Sequence, residues 1–187
     1  METKGLGVVG IYRIPGNKAA IYELSDQVNK NDFSWDRCNT DVRWEDVNVV
    51  SSLLKLFIRS LPDALLPSSF YNNFIEADKK VGMERLIELK QLLENLPRYS
   101  YETMKHLFRH LNRVSKNCEV NLMEPKNLAI IFGPSIIRTP NDTLDIAVKD
   151  MKHQCRIVEL LLTHVSHRIH LKLWKPFIKN HIISLSV

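Results

Sequence analysis

The chain has 187 residues, 44% hydrophobic and 25% charged, which fits one ordinary globular domain with a single core and excludes a disordered or fibrous chain. The formal net charge of +5 is dispersed apart from a basic tail, and no basic run is interleaved with aromatics, so no nucleic-acid motif is present. No stretch reaches the ~18 consecutive apolar residues of a membrane span, and Met1-Glu2-Thr3-Lys4 opens no apolar signal region, so a cytoplasmic location is the default expectation.

The apolar pattern is helical nearly throughout and predicts an all-α fold. Asn17 is placed to cap a helix that runs to about Asn29, with Ala20, Ile21, Leu24 and Val28 on one face. A polar loop follows through Thr40. From about Glu45 to Leu61, Val49, Val50, Leu53, Leu54, Phe57, Ile58 and Leu61 keep helical spacing until Pro62 stops the helix. Pro67-Ser68-Ser69 opens a short helix bearing Phe70, Phe74 and Ile75. Gly82 precedes another, with Leu86, Leu89, Leu93 and Leu96, ended by Pro97. A long helix from about Tyr101 to Lys116 carries Met104, Leu107, Phe108, Leu111 and Val114. Pro125 fits the first turn of a shorter helix through Ile131, expected to break at Gly133-Pro134. After a polar loop through Asn141 and Asp142, a last amphipathic helix is expected from about Asp150 to His164. No period of 20–50 residues repeats, which excludes a solenoid.

Against this regular background the segment Gly10-Ile11-Tyr12-Arg13-Ile14-Pro15-Gly16 stands out. It sets one arginine on a short loop, stiffened by Pro15 and closed by Gly16, directly before a helix. A guanidinium held this way projects from the surface. Two more segments bear functional residue types. In Lys55-Leu56-Phe57-Ile58-Arg59-Ser60-Leu61-Pro62, Lys55 and Arg59 stand four apart on one helix face, where two like charges call for an acidic group or for carbonyls such as those of the arginine loop. In Lys126-Asn127-Leu128-Ala129-Ile130-Ile131-Phe132-Gly133-Pro134, Asn127 sits in the first turn of a helix, a poor place for asparagine unless its side chain has another task, and bonding its own backbone is the simplest one.

In this order and spacing the three segments resemble the Rho-family GTPase-activating (RhoGAP) domain, over residues 5–166. The pieces Ile11–Asn17, Asp46–Lys55 and Leu111–Val114 look most like animal multidomain RhoGAPs that also carry PDZ and PH modules. The resemblance implies an activator of a partner's chemistry, with no complete active site of its own. Arg13 matches the arginine finger. Lys55 matches the lysine that faces the GTPase, Arg59 the arginine that braces the finger loop, and Asn127 the asparagine that contacts the GTPase switch region. The implied partner is a GTP-bound Rho, Rac or Cdc42 type protein. No cofactor is expected, because GTP and Mg²⁺ belong to that partner. Neither GxxxxGK[ST] nor GxGxxG occurs, which agrees with a chain that binds no nucleotide itself.

The chain departs from the family pattern in three places. Ala64 replaces the second proline of the usual Leu-Pro-x-Pro. Only twelve residues precede Arg13, so the upstream helical segment that clamps the finger loop in the family is expected to be missing, with apolar surface exposed and the loop less ordered. Residues 167–187 match nothing in the family. Their mix of basic and large apolar side chains admits membrane contact, although Pro176 interrupts any long helix. The alternative function is a GTPase-binding scaffold with little or no GAP activity, which a loosely held finger would produce. Cys38, Cys118 and Cys155 lack CxxC spacing and read as reduced thiols. His106 and His110, on one helical face, have no carboxylate between them as HExxH would require, and they are read as solvated or packed rather than metal-binding, as are His164, His167 and His170.

Overall fold

The computed structural model describes residues 4–30, 34, 41–139 and 144–165. Most of the loop through Thr40, with Cys38, lies outside the described residues, as do the turn at Asn141-Asp142, His167, His170 and the tail 167–187.

Several helices begin where a side chain or a proline dictates. Asn17 caps α1 (Lys18–Val28), its side chain accepting from Ala20 N. Only Leu24 of the expected apolar face is fully buried, and Val28 at the last turn is exposed. A 3₁₀ turn, Val42–Glu45, comes next. Its Arg43 bonds Asp41 and reaches Glu23 on α1, and this guanidinium holds the Asp41 carboxyl well below the usual carboxylate range. Asp46 caps α2 (Val47–Ser60) by accepting from Asn48 N at 2.8 Å and Val49 N at 3.3 Å. Leu61, extended ahead of Pro62, ends it.

A 3₁₀ turn at Ser68–Phe70 leads into α3 (Tyr71–Lys79), followed by α4 (Gly82–Glu94) and α5 (Arg98–Lys116). Helix α5 starts three residues before the first apolar position suggested. Pro97 adopts the extended N-cap conformation, and its carbonyl already accepts from Tyr101 N. The short α6 (Cys118–Asn121) ends in Leu122, at φ 60°, before α7 (Pro125–Ile136).

Helix α7 does not break at Gly133-Pro134 but runs through both to Ile136. Proline there removes one N–H, and the carbonyl it frees belongs to Ile130, an exposed residue within reach of water. Gly133 gives the physical reason for continuity: a Cβ at that position would lie 3.0 Å from Cys155 N, so its absence lets the backbone of α8 (Leu144–Leu160) approach α7 closely. Helix α8 starts six residues earlier than its sequence pattern predicts, and it closes in a π turn, Leu161–Val165.

The core lies where α3, α5, α7 and α8 meet. Phe74, Leu111, Leu128, Phe132, Ile136 and Ile157 are all inaccessible there, and Ile11 and Tyr12 from the N-terminal loop join them. Beside this core Asp78 of α3 is completely buried. Its Oδ2 lies 2.7 Å from His153 Nδ1, a hydrogen bond, and 3.0 Å from Arg156 Nε, an ion-pair contact, so it ties α3 to α8. Among the described residues no helix is long and apolar enough to cross a membrane, and no cluster could hold a metal ion.

Candidate functional site

The N-terminal loop is a stack of tight turns. Arg13 N and Ile14 N both donate to Gly10 O, at 2.8 and 2.9 Å. Gly10 and Tyr12 take left-handed backbone angles, φ 71° and 70°. For Gly10 this costs nothing, and a Cβ there would collide with Ile14 at 2.9 Å. For Tyr12 it is uncommon and must be held from outside. The result is that consecutive side chains part company: Tyr12 is wholly buried and Arg13 is exposed. Arg13 makes no ion pair among the described residues.

Four anchors hold the loop. On its N-terminal side Gly10 N donates to Asn121 O at 2.8 Å. Asn121 is itself fixed, its Nδ2 donating to Leu6 O and Val114 O and its Oδ1 accepting from Met123 N. Inward, the Tyr12 ring meets Phe132 edge-on at 4.9 Å between centroids, and its hydroxyl lies 2.5 Å from His110 Nε2. On the α2 side Lys55 Nζ donates to Tyr12 O. At the C-terminal end Gly16 N donates to Ser52 Oγ at 3.1 Å, and a Cβ on Gly16 would lie 2.5 Å from the backbone of Val49.

Lys55 is satisfied by a loop carbonyl, as its like-charged neighbour requires. Burial pushes its ammonium below the ordinary lysine value, and Arg59 one turn along adds to the push. The resemblance gives the bracing of the loop to Arg59; here the bond to the loop comes from Lys55, while Arg59 Nε donates to Ser135 Oγ at 3.1 Å on α7. The reason is position along α2. Lys55 lies below Tyr12, and Arg59 lies one turn farther on, beside α7. Arg138 then donates to the carbonyls of Arg59 and Leu61 and fixes the end of α2. Asn127 Nδ2 donates to Leu122 O at 3.1 Å, so its amide does bond nearby backbone, and it steadies the turn whose Asn121 holds Gly10.

Between α1 and α2, beneath the loop, runs a groove of ≈ 340 Å³. Pro15, Gly16, Lys18, Tyr22, Lys55 and Arg59 line it. Lys18, Lys55 and Arg59 make no ion pair among the described residues, which leaves the groove and the adjoining Arg13 with a positive face.

Sequence reasoning missed Tyr12, His110, Ser52 and Asn121 as loop anchors. His110 had a signal: it falls between Leu107 and Leu111, on the buried side of α5. His106, one turn away, is exposed, so burial separates the two histidines despite their spacing. Asn121 had no signal, because nothing in the sequence marks a polar residue as buried.

A family profile described as the RhoGAP domain matches residues 1–141. Rho GTPase-activating protein 21 of Xenopus tropicalis is 48% identical over 163 residues, and GTPase-activating protein pac-1 of Caenorhabditis elegans 45% over 179 residues. These alignments cover 87% and 93% of this chain but 8% and 11% of the relatives, so the chain spans about a tenth of their length. The crystal structure of human Rho GTPase activating protein 15 superposes with a TM-score of 0.79 at 41% identity, covering 88% of this chain and 77% of that one. The all-helical fold, the family profile and relatives of this identity agree: the chain belongs to the RhoGAP domain family.

Proposed function

We propose that this domain, over residues 5–166, binds a Rho-family small GTPase in its GTP-loaded form and accelerates hydrolysis by inserting Arg13. One observation carries the reading: Arg13 presents an exposed guanidinium without an ion pair, on a loop tied to rigid helices on every side. Hydrolysis builds negative charge on the phosphoryl oxygens in the transition state, and a permanently charged planar fork placed there stabilises it. A finger supplied in trans is worth ~10³–10⁵ in rate, or roughly 4–7 kcal/mol. Nucleotide, Mg²⁺ and attacking water come with the GTPase, so the domain activates a partner and is no enzyme by itself. Lys55 stiffens the loop and adds positive charge at its base, Arg59 supports the floor of the groove, and Asn127 meets the GTPase beside the finger. The domain meets its partner in the cytoplasm.

Single-turnover GTP hydrolysis by purified Rho, Rac and Cdc42 type proteins, with this chain and with its Arg13→Ala variant, tests the reading. Acceleration by at least one of them, lost by ~10³-fold or more on substitution, is the expected result. Retained binding to the GTP-loaded form without acceleration would replace it with the scaffold alternative.

A further inference from the structure

We propose that His110 is a positioning residue for the arginine finger, acting through the hydroxyl of Tyr12. The inference rests on the function proposed above and names a part of its machinery on a helix behind the loop.

The argument starts from the backbone. Tyr12 sits at φ 70°, a conformation that an ordinary residue keeps only when its surroundings impose it. That angle turns the chain so that the ring enters the core while Arg13 faces outward. Relaxing it to the usual negative φ would swing Arg13 away from the direction set by the turn. Something must therefore pay the conformational cost, and the ring is the lever. Packing against Phe132 within the core fixes the depth of the ring but offers no partner for its hydroxyl. The Tyr12 hydroxyl, 2.5 Å from His110 Nε2, fixes its tip. Both groups are buried, Tyr12 completely and His110 to all but 8%, so the bond is shielded from competing water. His110 stands on α5, a 19-residue helix whose neighbouring Leu107 and Leu111 are packed in the core, so its ring cannot follow the loop outward. The same helix supplies the Val114 carbonyl that fixes Asn121, and Asn121 O holds Gly10 N. One rigid element thus sets both the start of the finger loop and the residue before the finger.

The other three anchors cannot replace this one. Lys55 and Ser52 hold backbone atoms from the α2 side, and Asn121 holds Gly10; each of these bonds goes to the loop backbone rather than to the Tyr12 hydroxyl. A displacement of about an ångström at a catalytic group lowers rates by ~10²-fold while leaving binding contacts largely in place.

The test is a set of variants measured for single-turnover GTP hydrolysis across a range of domain concentrations, giving the saturating rate and the half-saturating concentration separately. A circular-dichroism melt shows that each variant is folded. Wild type and Arg13→Ala frame the series. If wild type does not accelerate hydrolysis, the proposed function fails and this inference falls with it. With wild type active and Arg13→Ala inactive, His110→Phe and Tyr12→Phe are each expected to lower the saturating rate by about 10- to 100-fold, with half-saturation within about twofold of wild type. His110→Gln, which keeps a hydrogen-bonding group near the position of Nε2, is expected to retain most of the rate. The double variant Tyr12→Phe/His110→Phe is expected to be no worse than either single one, because both substitutions remove the same bond. If His110→Phe does not fold, Tyr12→Phe tests the same bond from the loop side. Saturating rates of the single variants within twofold of wild type would overturn the proposal. So would a loss confined to half-saturation, or a loss that His110→Gln does not recover.

Discussion

Replacing Gly16 by alanine is the smallest change that separates the finger loop from its scaffold. The added Cβ would stand 2.5 Å from the Val49 Cα and N and 2.7 Å from the Asn48 carbonyl carbon. Ordinary carbon contacts begin near 3.5 Å, so the methyl is about an ångström too close. Its neighbours are backbone atoms in the first turn of α2, which Asp46 caps, and they cannot rotate away as a side chain would. Overpacking of this kind costs ~1–3 kcal/mol. The displacement also breaks the bond from Gly16 N to Ser52 Oγ, worth a further ~0.5–1.5 kcal/mol. Together about 2–4 kcal/mol is lost, which lowers the melting temperature of a domain of this size by about 5–15 °C. The loop can instead lift off α2 and recover part of that strain; Arg13, three residues away, then moves by the same ångström, and GAP activity falls by ~10²-fold. Thermal melts and single-turnover hydrolysis on Gly16→Ala read the two outcomes in parallel. A variant that keeps both its melting temperature and its rate would refute the close approach of loop and helix.

Asp78→Asn weakens the buried bond to His153 and removes the ion pair with the partly exposed Arg156, and is expected to cost ~1–3 kcal/mol, read as a lower urea midpoint with an unchanged slope. Tyr71 is held protonated to about 12, first by burial and then by its bond to Asp150. A tyrosine whose folded value is raised contributes stability that is complete below the unfolded value near 10 and is lost as pH climbs towards 12, so wild type is expected to lose stability over that window and Tyr71→Phe to lose less. Burial, and after it the Glu159 carboxylate, push the Cys155 thiol up, so its alkylation mapped by mass spectrometry at pH 8 is expected to be slow in the native domain and to speed up severalfold in denaturant.

Sequence alone revealed the helices well, because their apolar positions recur at the helical period and proline and asparagine mark their ends. It failed where tertiary packing overrides local preference. Pro134 reads as a helix breaker, yet α7 continues through it, because Gly133 makes room for α8 and the carbonyl freed at Ile130 lies at the surface. The arginine loop and its two neighbouring cations were legible as a motif, but which of Lys55 and Arg59 bonds the loop was not, since it depends on which of two adjacent helical turns lies beneath Tyr12. The clamping of the loop was also hidden. The expected loss of order rested on the short run before Arg13, whereas the described loop is held by Asn121, His110, Lys55 and Ser52, residues 36 or more positions from the atoms they bond.

The burial of Tyr12 has a thermodynamic consequence for association. Ordering a free backbone costs ~1–2 kcal/mol per residue, a sum that a flexible seven-residue loop would subtract from its binding energy. Here the ring is inaccessible and the loop amides of Gly10, Arg13 and Gly16 are already bonded. The loop's amide protons should therefore exchange with solvent as slowly as those of the core helices, opening only when the domain unfolds. Docking of the proposed GTPase would then carry little conformational entropy penalty, because the loop already holds one shape.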